Sequence, residues 1–349
     1  MHARRIGVRP AASVAALLVV ALGVAAAVRA TGVLPRDRAH AARSTGTTVT
    51  AAAAAPAAHA VAVAPPVPHR RHRLQLPADP AARKLELPIL TYHRIDRPAP
   101  REPAMERRLT VAPADFAAQM RWLAGHGYHG VTERQVYDAV AHGRELPPRP
   151  VLVTFDDGYR DTLTAAAPAL AERGMVATTY VTTGVVDGVS PGGDPMMTWA
   201  QVDELAATGH EIGAHSRTHP QLDTLPLRAV RREVAGSQAE LQDRTGLPIA
   251  SFAYPHGYSD ARVRRVVREA GFTSACSVKN ALSPPADRPH SLARLMVMST
   301  TTDADLHGWL AGRGVPAGQA DERLLTVGWR WYRRARATVG GAPGWSDAA

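Results

Sequence analysis

Between residues 85 and 310 the chain alternates short apolar runs with longer stretches in which apolar side chains return every three or four positions. Segments 89–93, 151–155, 177–181, 211–215, 251–254, 273–278 and 292–298 have the length and continuity of buried strands. Segments 113–125, 198–207, 227–245 and 259–270 have helical periodicity, and in the first of them Phe116, Met120 and Leu123 share one face. Strands and helices taking turns in this way predict an α/β fold of parallel strands wrapped by helices. In barrels of that kind the reactive side chains collect where the strands end. Trp122, Trp199 and Leu205 belong to the apolar faces and are read as core.

The strand ends carry the candidate chemistry. The run from Val151 to Phe155 stops at Asp156, Asp157 and Gly158, so two carboxylates leave the sheet together, although Asp-Asp-Gly is also ordinary turn chemistry. Neighbours on a strand point to opposite faces, so the two acids are expected to divide the work, one binding a metal and the other handling a proton. Further along, the run that ends at His215 leads into Ser216, Arg217, Thr218 and His219. A helical turn would put the two imidazoles, four apart, on one face. Two histidines and one aspartate, each just past a strand, can hold a divalent ion and leave positions open for water and a substrate oxygen.

These segments, TFDDG at 154–158, HSRTH at 215–219 and FAYPHG at 252–257, resemble the first three motifs of the polysaccharide deacetylase family, also called the NodB-homology or carbohydrate esterase family 4. The opening LPILTYHRI at 87–95 resembles the branch that removes acetyl groups from biofilm poly-N-acetylglucosamine. The resemblance covers roughly residues 85 to 300. It implies a distorted, incomplete (β/α)7 barrel and a metal-dependent hydrolase, with Zn2+ as the expected ion, acting on an N-acetylated glycan polymer. It also implies that Asp157, His215 and His219 hold the metal, that Asp156 is the general base, and that Tyr254 and Pro255 line the acetyl pocket, with the Tyr254 backbone N–H as oxyanion donor. His256 stands where family members often carry an aromatic substrate contact.

The chain departs from the family pattern twice. The late Leu-x-His that supplies the general acid in many members is missing; Leu306 and His307 sit instead in a polar, helix-like stretch. In the biofilm branch the acid comes from the first strand, and His93 holds the matching place. The arginine that orients the base in many members is replaced by Ala250, and Arg294 is the candidate to stand in for it or to contact substrate. An O-acetyl esterase using the same site, and a non-catalytic glycan-binding wall protein, are the alternative functions.

Charge divides the chain. Residues 1–84 hold twelve basic and two acidic side chains and residues 85–349 hold twenty-nine of each, so the whole net charge of +10 lies outside the expected enzyme. A basic leader and linker therefore explain the basicity better than nucleic-acid binding. Arg4, Arg5 and Arg9 precede an uncharged apolar run and Val28-Arg29-Ala30, the pattern of a signal peptide or an N-terminal membrane anchor over 1–30. Either one implies a protein that is secreted or tied to the cell surface. Residues 31–84, rich in Ala and Pro, read as an extended linker that touches the envelope or is merely solvated, and 85–312 as one catalytic domain, expected to be monomeric. The tail, 313–349, with Trp329, Trp331 and Tyr332 among arginines, reads as a terminal helix or a surface-binding patch. The lone Cys276 excludes an internal disulfide and is expected as a small buried residue.

Overall fold

A computed structural model of the protein describes residues 87–98, 103–282 and 288–315. The leader and linker expected over 1–84, and the tail beyond residue 315, lie outside the described residues. The strands in chain order are β1 (Ile89–Tyr92), β2 (Arg94–Ile95), β3 (Thr110–Val111), β4 (His129–Val131), β5 (Pro150–Phe155), β6 (Thr178–Val181), β7 (Glu211–Ala214), β8 (Ser251–Ala253), β9 (Ser274–Cys276) and β10 (Leu295–Met296). The helices are α1 (Ala104–Leu109), α2 (Pro113–Gly125), α3 (Glu133–His142), α4 (Ala167–Ala171), α5 (Trp199–Ala207), α6 (Leu227–Thr245), α7 (Ala261–Glu269) and α8 (Asp303–Leu310).

The main sheet runs β10-β1-β5-β6-β7-β8-β9, with β4 on the first half of β5, and its pairings are all parallel. Its two edges approach one short segment. Leu292 bridges Cys276 of β9, and three residues later Leu295 pairs with Leu90 of β1. The seven strands of the main path are therefore curled into the distorted, incomplete barrel that the family resemblance implies, with β4 as an eighth strand on β5, and β2 with β3 forms a separate pair.

Alternation along the strands builds two apolar layers. Outward residues of β1 and β5, including Leu90, Tyr92, Val153 and Phe155, pack on Phe116, Met120 and Leu123 of α2, with Tyr92 and Phe116 edge-on at 5.0 Å. Outward residues of β7 to β9, including Ile212, Ala214, Phe252 and Ala275, pack on α5, α6 and α7. Inward residues Ile89, Leu152, Tyr180, Ala253, Cys276 and Leu292 fill the barrel. Each large side chain so buried is worth about 1.5–3 kcal/mol, which is how the domain stands without a staple.

The helix boundaries follow from their termini. α2 opens on Pro113, whose missing N–H costs nothing at a first turn, and α6 closes on Gly246 at φ 69°. α3 is absent from the expected elements, yet Thr132 and Gln135 form a reciprocal capping box at its start and Gly143 closes it in the left-handed conformation. The 292–298 strand shrinks to two paired residues, because its outer neighbour contributes only the single bridge at Cys276.

Candidate metal centre and catalytic rim

β1 and β5 pair with Tyr92 opposite Phe155, and the Asp156 amide donates to the Tyr92 carbonyl at 3.0 Å. The next side chains, His93 and Asp156, therefore leave the sheet next to each other. Asp156 continues the inward face of β5 and is 3% exposed. Asp157 breaks the alternation: its φ of 74° is left-handed, so its carboxylate turns back to the same rim instead of facing away. The two acids divide the work through their partners, not through opposite faces.

Asp156 is gripped by Arg294. The guanidinium donates Nη1 to Oδ1 and Nη2 to Oδ2, both at 2.7 Å, while its Nε donates to the Ser277 carbonyl and its plane lies over the Tyr180 ring. Burial alone would raise the Asp156 carboxyl; the fully buried cation overrides it and holds the group well below the usual carboxylate range. Asp156 is thus a permanent carboxylate. Asp157 has no such partner, and burial pushes it up to about 6, with His93 pulling the other way.

His215 and His219 converge on Asp157, with His215 Nε2 at 3.5 Å and His219 Nε2 at 3.3 Å from its Oδ1. One ligand atom from each of the three residues lies within 4.8 Å of the others. The spacing works without a helix: Ser216 at φ 64° and His219 at φ 57° make a tight left-handed turn that folds the second imidazole back beside the first. His215 bonds the Ala253 carbonyl through Nδ1 at 2.8 Å; a carbonyl only accepts, so Nδ1 carries the proton and the Nε2 lone pair faces the other two ligands. Burial drives His215 down to about 3 and lowers His219, so both rings are neutral, as a metal requires. Two nitrogens and one oxygen fit a divalent ion, zinc in particular.

The other expected site residues divide. His93 is half-buried at the end of β1, its Nδ1 buried without a hydrogen-bond partner, and its charge bears on both aspartates. His256 is exposed with its ring 4.6 Å from that of His219, and Pro255 is buried beneath it. Two expectations need correction. Tyr254 cannot line the acetyl pocket or donate to an oxyanion: its ring packs outward, its hydroxyl donates to the His290 carbonyl, and its N–H is spent on Cys276 O at 3.0 Å. Arg294 is 0% exposed and its fork is spent on Asp156, so it is placed to hold that carboxylate and not to meet substrate. His307, which the sequence already sets apart from the acid role, stacks on Trp122 of α2 at 3.6 Å on the outside of the barrel.

Sequence reasoning missed Arg94. It is buried next to His93, ion-paired with Asp194 at 2.8 Å and Asp96 at 3.1 Å, and lies over the Tyr159 ring. It pins the loop of residues 187–197 against the turn that carries Asp157. A single arginine after a histidine gives no signal in sequence, because its partners are remote.

A curled parallel sheet that gathers two histidines and one carboxylate at the strand ends, with a second carboxylate held ionised beside them, is an arrangement suited to a metal-assisted hydrolase. The polysaccharide deacetylase family model matches residues 143–275. YxkH of Bacillus subtilis, whose name assigns it to the polysaccharide deacetylases, is 26% identical over 212 residues, 61% of this chain and 71% of that protein. The poly-beta-1,6-N-acetyl-D-glucosamine N-deacetylase of Escherichia coli K12 is 32% identical over 81 residues, 23% of this chain and 12% of that enzyme. The structure of IcaB from Ammonifex degensii superposes with a TM-score of 0.57 at 28% identity, covering 64% of this chain and 97% of IcaB. Residues 143–275 thus carry a polysaccharide deacetylase domain, and the relatives support a hydrolase acting on carbon–nitrogen bonds other than peptide bonds.

Proposed function

We propose that the protein removes acetyl groups from an N-acetylglucosamine-containing polysaccharide at the cell surface, with a divalent ion, zinc for choice, held by Asp157, His215 and His219. The observation that carries this reading is the convergence of those three ligands beside an aspartate that Arg294 keeps ionised. When bound, the ion supplies Lewis acidity to the acetyl carbonyl and to the attacking water.

The remaining work falls to the chain's own side chains. Asp156 keeps lone pairs free beyond its two bonds to Arg294 and accepts the proton of the water as its oxygen attacks the carbonyl carbon. The C–N bond then breaks, acetate departs, and the sugar nitrogen needs a proton to leave as an amine. His93, on the neighbouring strand with an unpartnered Nδ1, is placed to give it. Similarity to the E. coli enzyme supports a β-1,6-linked N-acetylglucosamine polymer as the first substrate to try. Export rests on the leader-like segment 1–30, which lies outside the described residues; among those described, no helix is long and apolar enough to cross a membrane.

A panel of chitin oligomers, peptidoglycan, acetylated xylan and β-1,6-linked N-acetylglucosamine polymer, read by acetate release, tests the assignment; release from none of the N-acetylated substrates sinks it. His93→Ala refines it. Turnover on the N-acetyl substrate should fall by ~10²–10⁴-fold, while an activated aryl acetate, whose leaving group needs no proton, should lose far less. Equal losses on both would give His93 a structural role instead.

A further inference from the structure

The turn that joins the two histidine ligands is held from outside by one carboxylate. Glu233, on α6, accepts the Arg217 N–H and the Thr218 N–H on Oε2, both at 2.9 Å, and the Thr218 hydroxyl on Oε1 at 3.0 Å. Within the turn, Ser216 Oγ accepts the His219 N–H at 3.0 Å. On the opposite side, Gly184 N–H donates to the Arg217 carbonyl at 2.7 Å, and a Cβ at that glycine would lie 2.5 Å from the same oxygen. The turn is thus wedged between residue 184 and Glu233.

It needs the wedge. Ser216 and His219 both sit in the left-handed region that side chains other than glycine avoid, so the turn by itself would relax to other conformations. Relaxation would swing His219 away, because its imidazole reaches Asp157 only through that backbone path. His215, by contrast, is fixed independently by the Ala253 carbonyl and by its place at the end of β7.

We infer that Glu233 is a positioning residue that sets metal affinity by holding the 216–219 turn in its ligating conformation through hydrogen-bond acceptance, not through its charge. The inference rests on the metal site proposed above and names a residue that touches neither metal nor substrate. It predicts an asymmetric lesion, in which loss of Glu233 loosens His219 and spares His215.

The test is Zn2+ affinity of the metal-stripped full chain, measured by competition with a chromogenic chelator, so that it does not depend on turnover. Glu233→Ala should weaken binding ~10–100-fold, the usual cost of losing a group that orients a ligand. Glu233→Gln, whose amide oxygen can still accept both backbone N–H groups, should stay within about twofold of the parent. Thr218→Val, which removes one of the three bonds and leaves the fold alone, should weaken binding about threefold. Asp305→Ala, which uncaps the remote α8, serves as a control for general destabilisation and should leave affinity unchanged.

Each other outcome has a meaning. No stoichiometric zinc on the parent protein defeats the metal site itself. With zinc bound to the parent, unchanged affinity in Glu233→Ala or in Thr218→Val overturns the positioning role. Equal weakening by Ala and Gln overturns hydrogen-bond acceptance in favour of charge, and an Asp305→Ala loss as large as that of Glu233→Ala reduces the effect to global stability.

Discussion

The two ends of the barrel each bury a carboxylate and treat it in opposite ways. At the rim, Asp156 is 3% exposed and remains ionised because a bidentate arginine matches its charge. At the other end, Glu133 is 1% exposed and meets neutral groups, among them the Tyr180 hydroxyl, the Cys276 thiol and Ser274, with Glu211 close by. Burial, reinforced by the Glu211 charge, pushes Glu133 up to about 7. Burial depth is the same; the partner decides the protonation state. One acid is thereby kept ready to take a proton and the other is kept holding one, a difference invisible to residue type.

The sharpest break in this contrast removes the rim's metal set. Asp157→Ala or His215→Ala should abolish bound divalent ion and turnover together, checked by metal content and acetate release, while the Glu133 end and the fold persist in the circular dichroism spectrum. A variant that keeps both full metal and full activity would overturn the ligand assignment. The next tests the arginine. Arg294→Met leaves Asp156 buried without a counter-charge, so stability should fall by about 3–5 kcal/mol in urea unfolding. The carboxyl should also rise, and the acid limb of the kcat/KM profile should move to higher pH. An unmoved limb would mean that Arg294 does not set the state of the base.

The smallest effect belongs to the other end. Glu133 holds its proton up to about 7 when folded, against an ordinary value of 4.5, so the folded form loses its advantage as pH climbs from 4.5 through 7. Glu133 alone should make the chain about 3 kcal/mol less stable at pH 8 than at pH 4.5; Glu211, Asp157 and Asp161, also raised by burial, add to that decline, and His215 and His219, which are lowered, oppose it. Glu133→Gln mimics the protonated acid and should make that decline about 3 kcal/mol shallower in urea unfolding of the metal-free chain, leaving the contributions of the other groups. A decline as steep as the parent's would mean that Glu133 is ionised after all.

Much of this was legible in sequence where the signal was local. α2 and α6 have the bounds that periodicity predicts, because Pro113 and Gly246 mark them. The five candidate residues of the rim, His93, Asp156, Asp157, His215 and His219, all sit at strand ends. What failed was long-range. Periodicity cannot show that the Tyr254 amide is consumed by the neighbouring β9, nor that Arg294 has its fork on a residue of β5. A four-residue spacing suggested a helix, while the backbone uses two left-handed residues and a remote glutamate to reach the same convergence. α3 is the exception: its Thr132-x-x-Gln135 start was there to be read.

The seam of the barrel has a consequence for how the protein comes to life. β1, which delivers His93, pairs with β10, which follows the buried Arg294, and the two strands are about two hundred residues apart in the chain. Both metal histidines and both aspartates are synthesised well before Arg294. The residues that converge at the rim thus lie in sequence ahead of the arginine that neutralises Asp156. The ion pair forms only when the segment carrying Arg294 and β10 joins β1, so the contact that closes the sheet is tied to the one that fixes the state of Asp156.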